Sequence, residues 1–207
     1  MAGPPMKIVF IQNAEDYIPL KITTAKQFHL HEEDQSEEVL TKIQNLGIIE
    51  PEPSVTKWCS PSMMVPKSNG RGIRLVTDFR SLNPYVSHPI HTFPSVKDIV
   101  QSVPNESKVF CTLDCKIGYF QIENRMAEES RALITLNKAR GKFRYCRAPM
   151  GLCSSNDKIC PRTDAVLCGI KNVMNIVNDI LISGGNEDEV LQKVEEVLRR
   201  CEKNNIT

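Results

Sequence analysis

Two short apolar segments of the chain are each interrupted by acidic or amide side chains. The first spans residues 109–114 (Val-Phe-Cys-Thr-Leu-Asp), and the second spans residues 176–182 (Ile-Val-Asn-Asp-Ile-Leu-Ile). Short runs rich in branched and aromatic residues predict strands. A charge within a buried strand is costly unless a partner or a metal ion offsets it. The pattern therefore predicts two strands that carry Asp114, Asn178 and Asp179 to a metal-dependent phosphoryl-transfer site.

Helical spacing of apolar residues predicts an amphipathic helix in the first quarter of the chain and another at its end. The first begins near Glu32 and ends at Gly47, because glycine readily adopts the backbone conformation that terminates a helix. Residues 1–31 show no sustained period and are interpreted as an extended lead-in, with one strand at residues 7–11. The apolar positions are Val39, Leu40, Ile43 and Leu46 in the first helix, and Val190, Leu191, Val194, Val197, Leu198 and Cys201 in the last.

Turn residues divide the rest of the chain into hairpins and two further helices. Hairpins are predicted at residues 59–80, at residues 132–147 around Gly141, and around positions 178 and 179. Ser95 can cap a short helix, and Ser154 or Ser155 can cap a longer one. Pro161 inside the longer helix would cost about 3 kcal/mol, so this helix either starts later or is kinked.

Composition and charge narrow the class of protein. The 207 residues are 41% hydrophobic and 25% charged, which is typical of a globular chain, and the net charge is only +1. The chain start lacks a secretory signal and no stretch has the apolar length of a membrane span. We therefore expect a soluble, intracellular protein, cytoplasmic or nuclear, with no membrane partner.

Basic residues concentrate in two stretches. Residues 138–147 hold five basic side chains and two aromatic ones with no acid, and a second basic stretch runs from residue 57 to residue 80. Each stretch by itself fits a solvated strand face as well as a nucleic-acid contact. The eight cysteines form no CxxC pair, so we interpret them as reduced core residues rather than as a zinc site.

An ordered set of motifs resembles the reverse transcriptase domain of gypsy-type LTR retrotransposon Pol polyproteins. Any one motif is weak, but the set follows the order and spacing of that family across about two thirds of the chain. The motifs are residues 47–50 (GIIE), 58–61 (WCSP), 65–67 (VPK), 74–83 (RLVTDFRSLN), 113–114 (LD), 118–122 (GYFQI), 147–152 (RAPMGL) and 177–181 (VNDIL).

The resemblance implies an α+β fold of the right-hand polymerase type, with an antiparallel palm sheet backed by helices. We expect the family's thumb to be absent from this chain. Residues 32–207 would form the reverse transcriptase domain after the lead-in. The fingers would comprise residues from about 32 to 92 and from about 120 to 150. The palm would comprise residues from about 93 to 119 and from about 151 to 207.

The resemblance also implies the chemistry and its residues. RNA-directed DNA polymerases add deoxynucleoside triphosphates to a primer 3′ end with two Mg²⁺ ions, for which Mn²⁺ can substitute. Asp114 and Asp179 would be metal ligands, together with the backbone carbonyl of Cys115. The implied nucleotide-binding residues are Arg74, Lys67, Tyr119, Met150 and Gly151. Arg74 would hold the triphosphate, Tyr119 would exclude a ribose 2′-hydroxyl, and both Tyr119 and Met150 could instead be packing residues.

The implied partners are an RNA or DNA template with its primer, deoxynucleotides, and further Pol domains such as ribonuclease H and integrase. The residues expected to contact nucleic acid are Arg71, Arg80, Lys138, Arg140, Lys142 and Arg144. Asp78 and Arg80 could instead form a structural pair, and Asn83 is expected to cap a turn.

Position 178 departs from the family, which carries two aspartates in the third hairpin. Asn178 is a degenerate catalytic position, because a neutral amide there removes one negative charge facing two cations and weakens metal binding. The polymerase activity of this chain is therefore expected to be impaired or lost. The alternative is a catalytically dead relic or a co-opted fold that still binds nucleic acid. A scaffold unrelated to polymerases would require the ordered motifs to arise by chance.

Overall fold

The computed structural model describes residues 4–11, 30–67, 72–87, 95–115, 120, 125–138, 141–176 and 179–206. Its contacts divide the chain into two compact units. The N-terminal unit contains Pro4–His88 and Asn124–Ser155, and the C-terminal unit contains Met1–Gly3, Pro89–Glu123 and Asn156–Thr207. Within the described ranges, no helix combines the length and apolar composition needed to cross a membrane.

Helices and antiparallel strands make up both units, as expected for an α+β fold. In chain order the elements are β1 (Val9–Phe10), α1 (Leu30–Asn45), β2 (Ile49–Pro51), β3 (Ser62–Pro66), β4 (Ile73–Thr77), β5 (Val86–Ser87), α2 (Val96–Ser102), β6 (Val109–Asp114), α3 (Glu128–Arg131), β7 (Thr135–Lys138), β8 (Gly141–Tyr145), α4 (Cys153–Leu167), β9 (Val173–Ile176), β10 (Asp179–Gly184) and α5 (Glu187–Lys203).

A three-stranded sheet of order β2-β8-β7 and the β3–β4 hairpin form the centre of the N-terminal unit. Tyr145 of β8 is 2% exposed, and its hydroxyl lies 2.9 Å from the Thr77 hydroxyl of β4. The ring of Phe79 lies 6.2 Å from the ring of Tyr145. Aromatic and hydroxyl groups thus pack the β3–β4 hairpin against the sheet with their polar atoms satisfied.

The predicted lead-in is more than an extended tail, because its first residues pack into the N-terminal unit. Met6 is 4% exposed and pairs with Met126, while β1 pairs with β5. The Ile8 N–H donates to the hydroxyl of Ser130 at 2.9 Å. This contact spans more than 120 positions, so periodicity along the chain could not predict it.

The predicted helix boundaries agree with the structure where a local signal specifies them. Gly47 has a φ of +63°, the left-handed conformation expected just after a helix, and α1 ends at Asn45. Ser95 caps α2 in a reciprocal capping box with Asp98. Both boundaries are therefore confirmed.

The predicted caps of α4 are wrong. The helix begins at Cys153, so Ser154 and Ser155 lie inside its first turn, and the Ser155 hydroxyl donates to the Pro149 carbonyl at 2.8 Å. Pro161 lies within this helix, which continues to Leu167 rather than starting after the proline. The second hairpin is also shifted, because Gly141 is the first residue of β8 and not the centre of the turn.

The C-terminal unit contains a sheet of order β6-β10-β9 with α5 against it, together with α2 and most of α4. Ile180, Ile182, Val190, Val197 and Cys201 form its buried core together with Leu167. The interpretation of Leu191 and Leu198 as core residues is wrong, since they are 61% and 53% exposed. They lie beside the buried stripe on α5, whose helical spacing they share without facing the sheet.

Candidate functional site

Asp114 and Asp179 are direct neighbours across the antiparallel pair of β6 and β10. Asp114 is the last residue of β6, Asp179 is the first of β10, and the register places them opposite each other. Both side chains are exposed. Directly opposite residues in such a pair hold their Cβ atoms about 4.5–5.5 Å apart, so one small ligand can reach both carboxylates.

Alternation along β6 explains why Asp114 faces solvent. Val109, Cys111 and Leu113 pack on the core of the C-terminal unit, while Phe110, Thr112 and Asp114 are exposed. Successive side chains of a strand point to opposite faces. One face of the sheet is therefore packed against α5, and the two exposed aspartates lie on the opposite face.

Cys115 follows Asp114 and is half-buried. The pKa of its thiol is raised to about 11, mainly by burial and to a smaller extent by electrostatic interaction with Cys201, Asp114 and Asp179. The predicted ligand role of the Cys115 carbonyl stays a prediction.

Four predicted site residues, Asn178, Tyr119, Arg71 and Arg140, lie outside the described residues. Position 178 directly precedes Asp179 in the connection between β9 and β10.

The aspartate pair fits part of a divalent-metal site. Magnesium prefers hard, charged oxygen ligands, and two adjacent carboxylates supply them. Among the residues that the structure describes, no group of three or more histidine, cysteine, aspartate or glutamate side chains could hold a metal ion.

Lys67 and Arg74 lie at the end of the β3–β4 hairpin where the two strands are connected. Arg74 pairs with Val65, and the Lys67 N–H donates to the Gly72 carbonyl at 3.0 Å, which extends the ladder by one pair. Alternation then puts the side chains of Lys67 and Arg74 on the same face as diagonal neighbours. Both are exposed, so their two positive charges can act on one anionic ligand.

Residues 149–152, which we call the 149–152 turn, form the last part of the connection from β8 to α4. Met150 is 48% exposed, whereas Leu152 is 2% exposed. Gly151 has a φ of +89°, which side chains rarely tolerate. Its carbonyl accepts a hydrogen bond from the Asn83 side chain at 2.9 Å. The sequence predicts Asn83 as a turn cap, and the structure identifies the 149–152 turn as its partner.

The basic residues of β7 and β8 are less available than their pattern suggested. Lys138 is 4% exposed and its Nζ lies 3.3 Å from the Ser62 carbonyl, so the expected surface contact with nucleic acid is corrected. Burial lowers the pKa of Lys138 to about 8. The Lys142 ammonium donates to the Ser54 carbonyl and to the Thr56 hydroxyl.

Arg144 is bound by carboxylates of its own unit. Its guanidinium lies 2.6 Å from Glu50, 3.4 Å from Glu52 and 2.6 Å from Glu128, and its side chain is 23% exposed. The positive charge of Arg144 is thus offset by these three glutamates. These ion pairs give Arg144 a structural role, and its contact with nucleic acid stays a prediction.

Arg80 forms an ion pair with Asp78, which is the structural alternative given for these two residues in the sequence analysis. Its Nη2 atom lies 2.6 Å from the Asp78 carboxylate, and the backbone N–H of Arg80 also donates to Asp78. The Arg80 side chain is 90% exposed, so a nucleic-acid contact is sterically open to it.

The chain is similar in sequence to retrotransposon polyproteins, although no model of a known protein family matches it. It is 32% identical over 160 residues to the Pol polyprotein from transposon gypsy of Drosophila melanogaster, and 29% identical over 182 residues to that from transposon 412 of the same species. The Tf2-3 polyprotein of Schizosaccharomyces pombe is 29% identical over 148 residues. These matches cover 74%, 83% and 70% of this chain, but it spans only 15%, 14% and 11% of the relatives' lengths.

The chain is similar in structure to a viral protein. A mutant of the prototype foamy virus protease-reverse transcriptase has a TM-score of 0.79 and 22% identity, and it covers 96% of this chain and 25% of its own. The foamy viral protein in complex with dsDNA has a TM-score of 0.79 and 18% identity, covering 97% and 40%. Its complex with an RNA/DNA hybrid has a TM-score of 0.73 and 17% identity, covering 89% and 24%. At these identities the likeness shows a shared fold.

Proposed function

Since the chain is a reverse transcriptase domain related to the Pol polyproteins of retrotransposons, we propose that its chemistry is template-directed addition of deoxynucleotides to a primer 3′ end. The observation that carries the proposal is the cross-strand pair of Asp114 and Asp179, whose side chains are both exposed on one face of the sheet. Two carboxylates at adjoining strand ends provide the charge that a phosphoryl-transfer site requires.

Asp114 and Asp179 would hold the divalent ion that reverse transcriptases as a family use. When bound, such an ion activates the primer 3′-hydroxyl and stabilises the charge of the leaving pyrophosphate. Asn178 contributes an amide oxygen without charge at the position next to Asp179. We infer that the site binds Mg²⁺ or Mn²⁺ more weakly than a site with three carboxylates.

Arg74 and Lys67 are the proposed anchors for the triphosphate. A guanidinium offers a planar fork that matches phosphate oxygens, while an ammonium acts as a point charge. Their shared face on the β3–β4 hairpin supports a common anionic ligand. Tyr119 is proposed to pack against the sugar, and the 149–152 turn is proposed to position the nucleotide.

We propose that the N-terminal unit acts as fingers and the C-terminal unit as palm. The metal-binding aspartates belong to the C-terminal unit, and the phosphate-binding hairpin belongs to the N-terminal unit. The substrate would be an RNA or DNA template with its primer. The similarity of the chain to a short stretch of much longer polyproteins supports further Pol domains, such as ribonuclease H and integrase, as partners.

Primer extension tests the proposal. The native chain is expected to show no incorporation on a poly-rA template with Mg²⁺ or Mn²⁺, because Asn178 removes a charge. The variant Asn178→Asp should extend the primer, and Asp114→Asn added to it should abolish extension. Asn105→Asp, at an exposed turn position of the C-terminal unit, is the matched control and should leave the native chain inactive.

Two outcomes would contradict these statements. Robust incorporation by the native chain would show that Asn178 does not impair it. An Asn178→Asp variant that melts cooperatively but stays inactive would remove the polymerase proposal in its present form.

Asn178 itself favours a second candidate, a fold that binds nucleic acid without catalysis. In that case the native chain would bind a primer-template with an affinity that falls as salt is added. Binding without extension in the Asn178→Asp variant would favour this second candidate over the first.

A further inference from the structure

Two side chains attach the 149–152 turn to the rest of the N-terminal unit. The Asn83 side-chain amide donates to the Gly151 carbonyl at 2.9 Å, and its oxygen accepts from the Cys153 N–H at 3.1 Å. The Ser155 hydroxyl donates to the Pro149 carbonyl at 2.8 Å. Three backbone groups within five residues are therefore held by side chains, and two of them by one amide.

The amide comes from a segment that is itself rigidly packed. The Asn83 N–H donates to the Phe79 carbonyl at 2.8 Å, and Phe79 and Leu82 are 2% and 0% exposed. Asn83 lies about 70 positions from its partners in the chain. The Asn83 side chain thus fixes the 149–152 turn relative to the buried residues Phe79 and Leu82.

The pinned turn presents little besides Met150 and the Gly151 backbone. Leu152 is 2% exposed and Pro149 is among the fully buried residues, while Met150 is 48% exposed. A Cβ on Gly151 would lie 3.7 Å from the Thr77 carbonyl, an ordinary contact. Glycine is thus needed for its φ of +89° and not for lack of space.

The chemistry of the two partners requires an amide at position 83. The Gly151 carbonyl can only accept a hydrogen bond and the Cys153 N–H can only donate one. An asparagine side chain offers one group of each kind, whereas a carboxylate only accepts. Aspartate would also place a negative charge against the Gly151 carbonyl oxygen.

We propose that Asn83 is a positioning residue for the incoming nucleotide, acting by holding Met150 and Gly151 in place. The inference rests on the proposed function, in which the 149–152 turn contacts the nucleotide. If the groups that position a substrate move by about 1 Å, the reaction rate can fall by up to about a hundredfold. Asn83 does not touch the nucleotide itself.

The test compares variants in an Asn178→Asp background, using the full chain with a primer-template. Asn83→Asp should raise the KM for the deoxynucleotide by roughly tenfold or more while kcat changes less. Hydrogen exchange of residues 150–153 should accelerate, with exchange elsewhere in the N-terminal unit unchanged. Asn45→Asp, an exposed substitution at the end of α1, is the matched control and should change neither quantity.

A second variant covers the case in which Asn83→Asp does not fold. Ser155→Ala keeps Asn83 and releases the same turn at Pro149, so it should raise KM in the same direction. A KM equal to that of the parent in both variants would overturn the inference, as would unchanged exchange in the turn. A lower melting temperature without a change in KM would also overturn it, because that result describes a purely structural residue.

Different results would contradict the proposed polymerase function and the proposed positioning role of Asn83. If the parent with Asn83 intact does not extend a primer, the proposed function fails, and the nucleotide role of Asn83 fails with it. If the parent extends and the Asn83 and Ser155 variants match its KM, only the positioning role fails.

Discussion

Asp114 and Asp179 face each other at the end of two antiparallel strands, and both carboxylates are exposed. Like charges placed directly opposite destabilise a strand pair, so this arrangement costs stability unless a cation offsets it. In the proposed function, a divalent cation bound by both carboxylates would offset this cost.

Metal affinity should depend on both aspartates and on position 178. We predict that Asp114→Asn lowers the affinity for Mn²⁺ at least about tenfold, because it removes a charged ligand. Asn178→Asp should raise the affinity by a comparable factor. Titration calorimetry with Mn²⁺ measures both changes, and Asp188→Asn, at an exposed position of α5, should have no effect. Equal affinities in all four proteins would exclude a metal site at this strand pair.

Arg74 and Arg144 should behave differently although both were predicted to bind phosphates. Arg74→Ala is expected to weaken nucleotide binding about tenfold with little change in stability, since its side chain is exposed. Arg144→Ala should lower the free energy of unfolding by about 2–3 kcal/mol, because Glu52, with a side chain 4% exposed, loses an ion-pair partner. Denaturant unfolding and nucleotide titration of the two variants separate the effects. The reverse pattern would contradict the structural role assigned to Arg144.

The buried ammonium of Lys138 should make stability depend on pH. Burial lowers its pKa to about 8 in the folded chain, below the value of 10.5 for an exposed lysine. The unfolded chain then binds more protons between these values, so stability rises as pH increases from about 8 to about 10.5. Below about pH 8 the Lys138 ammonium is charged in the folded chain, and its burial lowers the stability by a constant amount.

Lys138→Met should therefore raise the free energy of unfolding at pH 7, by about 1–3 kcal/mol. This advantage over the native chain should shrink as the pH approaches 10. Lys138→Arg is the control, because arginine keeps its charge throughout and should show no such recovery. Denaturant unfolding at a series of pH values measures the difference in free energy of unfolding between each variant and the native chain. If the difference for Lys138→Met does not change with pH, the lowered pKa of Lys138 is disproved.

Two adjacent glycines should differ sharply in their tolerance of alanine. A Cβ on Gly184 would lie 2.9 Å from Val190 Cγ2, whereas a Cβ on Gly185 would meet nothing closer than 3.6 Å. Gly184→Ala should lower the melting temperature, at a cost of about 1–3 kcal/mol, because Val190 belongs to the buried core. Gly185→Ala is the matched control and should change stability by less than about 0.5 kcal/mol. Similar melting temperatures for both variants would show that α5 can shift.

Local signals explain which parts of the fold could be predicted from the sequence. Ser95 caps α2 through Asp98, three residues away, and Gly47 follows α1 in a left-handed conformation. Both effects act within one helical turn, so a short window of residues contains them. The strand that ends at Asp114 was predictable for the same reason.

Contacts between distant segments explain what could not be predicted. Leu191 and Leu198 share the helical spacing of the α5 core but lie beside the stripe that meets the sheet. Lys138 and Arg144 have a basic pattern, yet their partners are Ser62 and three glutamates far away in the chain. The sequence shows that these side chains are basic, but it does not show which distant groups they pair with in the fold.

The sequence by itself determined the order of elements, the motifs and the identity of the residues near the proposed metal site, including the missing charge at position 178. Only the tertiary structure decided that Asp114 and Asp179 are opposite in register and that Asn83 holds the 149–152 turn. The reason is physical: composition and periodicity act over a few residues, whereas register and side-chain pairing depend on segments brought together by burial of the core.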